Sequence, residues 1–317
     1  MKTAREYVEE MIRYKKSLGY SESTYRVLRN NFVPYVEAGN ADGTITEGLL
    51  DSWCLRRKSE NDNGYIRRMS AIRSFINYLD ARGEYSYGFD EYAIPRSGRR
   101  YTPYIFSDAE LLELFRAADR TSPIKRSPLR HEVIRTIYRL IYFCGLRPTE
   151  GRLLFREDVN TDEGTLLIRK NKARRERLIP MSEDVCEMCR DYQHILRQVY
   201  PESRYFFPGS DGKAYSAEWL QVNLKKLWKT AHPESRACVR VYDLRHKFAT
   251  VSLMRLIDSG TDINSAFPYL SAYMGHSEYQ HTLYYIHLLP RRLAESDKIN
   301  LSCFESYIPE VPTIEEE

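Results

Sequence analysis

The feature that most constrains the fold is the spacing of apolar residues, which recur about every three to four positions along most of the chain. In the first ninety or so residues this spacing predicts four consecutive helices with short connections, which pack into a compact bundle. The four predicted segments are about 3–18, 21–36, 45–53 and 66–79, the last closed by Gly83. The front of the chain is therefore expected to be a small, entirely helical domain.

Helical spacing resumes at Ser107 and is interrupted once. The predicted helices are about 107–118, 129–144, 182–200, 217–228, 241–257, 265–274 and 278–287. The interruption is Gly164–Pro180, where two β-prone runs flank a polar, basic turn, and this pattern predicts a hairpin. The second region is thus expected to be mostly helical with a small β-sheet. Its predicted core residues include Phe143, Leu154, Leu244, Phe248 and Leu283.

Between the two helical regions lies a segment with the composition of a charged linker. Residues 94–103 contain two prolines, a glycine and three arginines. The predicted organisation is therefore a domain at 1–93, the linker, a domain at 104–290 and a C-terminal segment at 291–317. The last 14 residues hold five glutamates and no lysine or arginine, so the preceding 303 residues carry +9 rather than the overall +4. An acidic tail of this kind either binds the basic surface or stays solvated.

Several classes of protein are excluded by composition. With 42% hydrophobic and 29% charged residues the chain is ordinary for a globular protein, and no apolar run reaches about 18 residues. The start lacks the apolar core of a signal peptide, so a cytoplasmic protein is expected. Of six scattered cysteines only Cys186 and Cys189 are close, without partners at zinc spacing. Nucleotide-binding glycine loops and the hydrolase elbow are missing from the sequence, so neither a metal nor a cofactor is expected.

Two arginines next to predicted helix ends are candidate phosphate ligands. Arg147 lies between a Gly-Leu turn and Pro148, and Arg245 lies within a turn of the helix predicted to begin at Val241. A guanidinium can hold two phosphate oxygens, and two of them on one phosphodiester could stabilise charge in its transition state. A tyrosine could then attack phosphorus to form a covalent intermediate. Chemistry alone does not choose among the 25 tyrosines.

Four motifs, in order and in register, resemble the tyrosine recombinase (phage integrase) family. They are Gly145–Glu150 followed by Leu154 and Asp158, Lys172–Pro180, Tyr242–Thr250, and Met274–Ser277 followed by Thr282 and Tyr285. Together they span about 104–287, and the front half resembles the family's SAM-like core-binding domain more loosely. The resemblance implies a mainly α fold in which the core-binding and catalytic domains form a C-shaped DNA clamp.

The resemblance also assigns roles at the phosphate. Arg147 and Arg245 would clamp it, His276 would add a hydrogen bond, and Glu150 would support Arg147. Lys172 on the hairpin turn would protonate the leaving 5′ oxygen, although Lys170 or Arg174 could reach the phosphate instead. Tyr285 would be the nucleophile, and its rivals within two turns are Tyr279 and Tyr284.

One position departs from the family pattern. The family usually has histidine three residues before the second arginine, where this chain has Tyr242. A tyrosine can donate a hydrogen bond, but its reference pKa near 10 makes it a poor proton shuttle at neutral pH. A positional hydrogen-bond role is therefore expected for Tyr242 rather than a general-base role.

Basic residues outside the catalytic set are candidate DNA contacts, since phosphate contacts supply most of the affinity for DNA. The candidates are Arg56, Arg57, Lys58, Arg67, Arg68, Arg73, Arg96, Arg99, Arg100, Lys170, Arg174 and Arg175. Those in 56–73 are expected on exposed faces of the front bundle. Partners implied by the resemblance are a double-stranded recombination site, further copies of the chain in a tetramer on two sites, and an accessory or directionality protein, with location at the nucleoid.

The leading hypothesis is site-specific strand exchange without metal or ATP, with a segment at 292–308 exchanged between protomers. Because helical spacing begins near Thr3, a recombinase without an arm-binding domain is favoured. The alternatives are a type IB topoisomerase, which uses a similar site, and a DNA-binding protein on a decayed recombinase scaffold, for which Tyr242 is the only indication. Neither the target sequence nor the choice among integration, excision, inversion and dimer resolution can be derived from these residues.

Overall fold

The structure is a computed structural model that describes residues 2–88, 102–169, 176–261 and 263–275. The chain forms two compact units, Met1–Thr102 and Pro103–Glu317. Each unit has its own hydrophobic core. In the described parts both units are mainly helical, and the strands belong to the second, which confirms the mainly α fold with a small sheet.

The first unit is a helical bundle, and most of its described helices begin at capping side chains. Its helices are α1 (Ala4–Ser17), α2 (Val33–Gly39), α3 (Glu47–Cys54) and α4 (Asp62–Asp80). Thr3, Thr46 and Asn61 accept hydrogen bonds from the first-turn amides of α1, α3 and α4. The apolar faces meet around buried Phe32, whose ring lies 5.2 Å from that of Trp53.

The helix predicted at 21–36 is wrong in detail. This stretch contains a 3₁₀ turn at Glu22–Tyr25, a π-helical segment at Leu28–Phe32, and only then α2. Pro34, in the first turn of α2, has no amide hydrogen to donate backwards along the chain. The π-helical segment lies directly ahead of this proline, so the regular α-helical hydrogen-bond pattern begins only with α2.

The second unit contains most of the helices. They are α5 (Asp108–Asp119), α6 (Arg130–Phe143), α7 (Pro148–Arg152), α8 (Glu183–Val199), α9 (Ala217–Ala231), α10 (Val241–Asp258) and α11 (Ile263–Met274). Apart from short α7, each matches a predicted segment within a few residues, while the predicted helix at 278–287 and Leu283 lie outside the described residues. Leu154 and Leu244 are buried as predicted. Phe143 is 48% exposed, so its core assignment is wrong: it ends α6 and packs sideways on Phe115.

The predicted hairpin is confirmed as part of a three-stranded antiparallel sheet. The strands are β1 (Val159–Asn160), β2 (Thr165–Ile168) and β3 (Arg177–Pro180), in the order β1-β2-β3. Ile168 pairs with Arg177 and Leu166 with Ile179. Because side chains alternate along a strand, Arg177 lies on the same face as buried Ile179. The two-residue strand β1 is too short to give a pattern in the sequence.

Among the helices in the described ranges, none combines the length and the hydropathy that crossing a membrane requires.

Candidate active site

The turn between α6 and α7 places Arg147. Gly145 adopts a φ of +58°, a region that favours glycine, and a Cβ there would lie 2.3 Å from Cδ1 of Phe248. The chain therefore reverses sharply after α6, and Arg147 becomes the residue that precedes the first turn of α7, with Pro148 next. Its side chain is about one quarter exposed (25%).

Glu150 is the carboxylate around which the site is built. Its side chain is 8% exposed. The backbone N–H of Arg147 donates to Oε2 at 2.8 Å, and Nη1 of Arg147 donates to Oε1 at 2.8 Å. The carboxylate thus fixes both the main chain and the side chain of Arg147. The structure therefore places Glu150 in direct contact with Arg147, and its supporting role in the reaction stays a prediction.

Arg245 lies in the first turns of α10 and is completely buried. Its Nη1 donates to the carbonyl of Gly145 at 2.6 Å, and its Nη2 donates to the carbonyl of Met274 at 2.6 Å. Nη1 also lies 3.8 Å from Oε2 of Glu150. Since Arg245 has no exposed surface, a phosphate can reach it only after a group that covers it moves.

The two arginines converge although about a hundred residues separate them in the sequence. Both guanidinium groups lie at the Glu150 carboxylate. Both also donate to adjacent carbonyls at the end of α11, because Nη2 of Arg147 reaches Gly275 at 2.6 Å and Arg245 reaches Met274. The structure therefore brings the first, third and fourth sequence motifs to one point.

Arg177 completes this cluster and was not predicted as a site residue. It donates from Nη1 and Nη2 to the two oxygens of Glu150 at 2.9 and 2.8 Å, and from Nε to the carbonyl of Tyr273 at 3.0 Å. The basic run around the hairpin masks it in the sequence. The available signal was its spacing of two from Ile179, which puts a charged side chain on the buried face of a strand, where it needs a partner.

The arginines set the charge state of Glu150. Burial alone would raise the pKa of this carboxyl, but the hydrogen bonds and charge of Arg177, followed by those of Arg147, outweigh burial and lower the pKa to about 2. The carboxylate is therefore ionised at neutral pH. The three guanidinium groups and this one carboxylate leave an excess of two positive charges, as expected of a site that receives an anion.

Tyr242 lies one turn before His246 on α10, and their ring centroids are 5.0 Å apart. Tyr242 is 38% exposed, whereas burial, followed by the charge of Arg245, lowers the pKa of His246 to about 4. His246 is thus neutral at neutral pH. The positional hydrogen-bond role expected for Tyr242 stays a prediction.

Other predicted site residues lie outside the described part of the chain. These are Lys172, His276 and Tyr285 of the catalytic set, and Arg96, Arg99, Arg100, Lys170, Arg174 and Arg175 of the DNA contacts.

The candidate contacts in the first unit are described, and one assignment is wrong. Arg56, Arg57, Lys58 and Arg67 are exposed and Arg73 is partly exposed. Arg68 is 3% exposed, so it does not lie on an outer face. Arg68 follows Tyr65 by three residues and precedes Ile72 by four, so it lies with them on the inner face of α4. There it forms a fork with Glu60 at 2.8 and 2.6 Å and donates to the carbonyls of Trp53 and Leu55.

Comparisons with known proteins agree with the motifs. The phage integrase family model matches residues 106–292. The putative integrase/recombinase y4rE of Sinorhizobium fredii is 32% identical over 285 residues, covering 89% of this chain and 90% of that protein. The tyrosine recombinase XerC of Chlorobaculum parvum is 28% identical over 260 residues, or 76% of this chain and 74% of that protein.

Solved structures share the fold. The XerH site-specific recombinase, bound to palindromic difH substrate in a post-cleavage complex, aligns with a TM-score of 0.63 at 20% identity over 92% of this chain and 83% of that one. The Tn1549 transposon integrase in complex with circular intermediate DNA aligns with a TM-score of 0.63 at 17% identity, over 90% and 94%. With the family model covering more than half of its length, this chain belongs to the phage integrase family and is a tyrosine recombinase.

Proposed function

We propose that this protein is a site-specific recombinase that cleaves and rejoins DNA strands through a 3′-phosphotyrosine intermediate at Tyr285. Its biological role would be integration, excision or inversion of a DNA element. The observation that carries the proposal is the convergence of Arg147 and Arg245 on one carboxylate, next to the end of α11. Two guanidinium groups at one point form the charge pattern that a reacting phosphodiester requires.

The arginines act on the phosphate through hydrogen bonds and charge, and they form no covalent bond to it. As Tyr285 Oη attacks phosphorus, charge increases on the nonbridging oxygens, and Arg147 and Arg245 stabilise that charge by directed hydrogen bonds. His276 supplies a further hydrogen bond, and Tyr242 helps to position the group. Glu150 keeps its charge at neutral pH and so holds Arg147 in place throughout the reaction.

Proton and bond changes balance within the site. The bond between phosphorus and the 5′ oxygen breaks as the bond to Tyr285 forms; the phenol proton of Tyr285 passes to water, and Lys172 gives a proton to the departing oxygen. The 5′ hydroxyl of a second strand then attacks the phosphotyrosine and returns a proton to Lys172, and the tyrosine leaves and takes up a proton from water. One phosphoester replaces another at each step, so rejoining needs no external energy source.

DNA and further copies of the chain are the proposed partners. The XerH structure contains a palindromic difH substrate, and the Tn1549 integrase structure contains circular intermediate DNA. We infer that the front unit at 1–93 and the linker at 94–103 also contact the duplex. Exposed Arg56, Arg57, Lys58 and Arg67 would bind phosphates. Exchange would occur in a tetramer on two sites, with residues 292–308 passing between protomers and an accessory protein setting direction.

A nicked suicide substrate tests the assignment of the nucleophile. The nick lets the short cleaved strand diffuse away, so a covalent protein–DNA adduct accumulates. We expect wild-type protein and Tyr284→Phe, the matched neighbouring variant, to form the adduct, and Tyr285→Phe to form none on a denaturing gel. Tyr279→Phe should behave like Tyr284→Phe.

Three outcomes would contradict the proposal. Undiminished adduct from Tyr285→Phe would mean that another tyrosine attacks. Normal DNA binding by the wild type with no adduct on any substrate would favour the decayed scaffold. Relaxation of supercoiled plasmid without a recombination site, and without strand exchange, would favour a topoisomerase.

A further inference from the structure

Arg177 has no role in the reaction as described so far, although its side chain donates to both oxygens of Glu150. We propose that Arg177 is a positioning residue for DNA cleavage: it holds the Glu150 carboxylate, and through it the Arg147 guanidinium, in the orientation that binds the reacting phosphate. The inference rests on the proposed function, because it assigns Arg177 to the same site.

The contact between Arg177 and Glu150 is a two-pronged fork. Nη1 donates to Oε1 at 2.9 Å and Nη2 to Oε2 at 2.8 Å. The side chains are 11% and 8% exposed, so water competes little for these bonds. A planar guanidinium fixes both the place and the rotation of a carboxylate, whereas the single ammonium of lysine fixes neither as well.

Each oxygen that Arg177 holds also holds Arg147. Oε1 of Glu150 accepts from Nη1 of Arg147 at 2.8 Å, and Oε2 accepts from the Arg147 backbone N–H at 2.8 Å. If the carboxylate rotated, it would lose alignment with both Arg147 donors at once. The orientation of the Glu150 carboxylate therefore determines the orientation of Arg147. Arg177 fixes the carboxylate through its own two hydrogen bonds.

A third contact joins the hairpin to the end of α11. Nε of Arg177 donates to the carbonyl of Tyr273 at 3.0 Å, and Nη2 of Arg147 donates to that of Gly275, two residues on, at 2.6 Å. The two arginines thus hold the same short stretch of main chain as well as the same carboxylate. This closed arrangement resists displacement of any one member, because each is fixed by two others.

Arg177 acts through these groups rather than on DNA directly. Its Nε, Nη1 and Nη2 all donate to acceptors of the protein, at Tyr273 and Glu150. Arg147 differs, since its side chain keeps 25% of its surface exposed. The expected consequence is that changing Arg177 damages the phosphate clamp without removing a phosphate contact of its own.

Single-turnover cleavage at saturating protein tests this role with Arg177→Lys. Displacing Arg147 by about 1 Å should slow adduct formation on a nicked phosphodiester substrate about 100-fold. The Kd for the same DNA should change by less than about threefold, because the lost interaction belongs mainly to the transition state. Arg139→Lys is the control: Arg139 on α6 forms a two-pronged fork with Asp119 at the end of α5, at 2.8 and 2.8 Å, in a pair that is more exposed, at 21% and 47%. It should cleave at the wild-type rate.

A methylphosphonate at the scissile position separates positioning from general damage. The methyl group replaces a charged nonbridging oxygen, so there is less charge for Arg147 to stabilise. The deficit of Arg177→Lys relative to wild type should therefore shrink to less than about tenfold on this substrate. An equal deficit on both substrates, or weaker DNA binding with unchanged saturated cleavage, would overturn the proposal.

A structure of the variant keeps this inference separate from the proposed function. If wild-type protein formed no adduct, the proposed function would fail. Crystal structures of wild type and Arg177→Lys would still show whether the guanidinium of Arg147 changes its position. We expect its guanidinium to move by about 1 Å or more in the variant, with rotation of Glu150. An Arg147 that keeps its place would show that Arg177 does not position it.

Discussion

At Glu150 three guanidinium groups share one carboxylate, and the consequence can be measured through pH. The lowered pKa, about 2, means that the ionised carboxylate stabilises the fold fully above the pKa of the unfolded chain, near 4.3. This stabilisation is lost progressively as the pH falls from about 5 towards 2. A shift of this size corresponds to roughly 3 kcal/mol in the free energy of unfolding.

Glu150→Gln should remove this pH dependence. In urea unfolding followed between pH 5 and pH 3, the wild type should lose more stability than the variant, so that the gap between them narrows as the pH falls. Glu157→Gln is the matched control, because it removes an exposed carboxylate from an arginine pair. Its free energy of unfolding should change with pH in parallel with that of the wild type, since exposed ion pairs contribute little to stability. A Glu150→Gln curve parallel to the wild type would contradict the assigned ionisation.

Residue types alone did not distinguish buried from exposed arginines. Arg67 and Arg68 are neighbours in a basic stretch, and only the phase of α4 makes the second one a core residue that needs Glu60. Arg177 was hidden in the same way by the basic hairpin. In both cases the periodicity places the arginine on a buried face, but a linear pattern does not identify the carboxylate that pairs with it, Glu60 for Arg68 and Glu150 for Arg177.

At the scale of elements, the turn after α6 links packing to the site. The left-handed φ of Gly145 and the approach of Phe248 leave no room for a side chain, and its carbonyl receives Nη1 of Arg245. Gly145→Ala should destabilise the protein by about 3 kcal/mol, which combines backbone strain with overpacking.

Gly260→Ala is the matched control for that change. Gly260 also has a positive φ, +81°, but an added Cβ would meet nothing within 4 Å. Only the backbone strain applies, and the expected loss is about 1 kcal/mol. Equal losses for the two variants, measured by urea unfolding, would show that contact with Phe248 does not matter.

Periodicity predicted the regular elements well and the irregular ones poorly. The strands β2 and β3 and most helices follow from apolar spacing, because each buries a face of its own. Apolar spacing does not predict the π-helical segment at Leu28–Phe32 or the short helix α7. The first lies next to Pro34, and the second follows the turn at Gly145. The prediction of Arg147 at a helix break, made from Gly145 and Pro148, is confirmed, since α7 begins at Pro148.

At the scale of the whole molecule, the site exists only when distant parts of the chain are folded together. The bond from Arg147 to Gly275 spans 128 residues, and that from Arg245 to Gly145 spans 100. The overall charge of +4 gives little indication of such a site. The local excess of positive charge indicates the site. This excess arises from arginines at the start of α7, on β3 and on α10.

The central claim is that Arg147 and Arg245 meet at one phosphorus atom, and a structure of Tyr285→Phe bound to a duplex carrying its recombination site tests it most directly. The account predicts that Nη atoms of both arginines lie within about 3.2 Å of nonbridging oxygens of the same phosphate. Because Arg245 is 0% exposed in the structure, a group that covers it must also have moved. Arginines bound to different phosphates, or an Arg245 still buried and out of contact, would contradict the account.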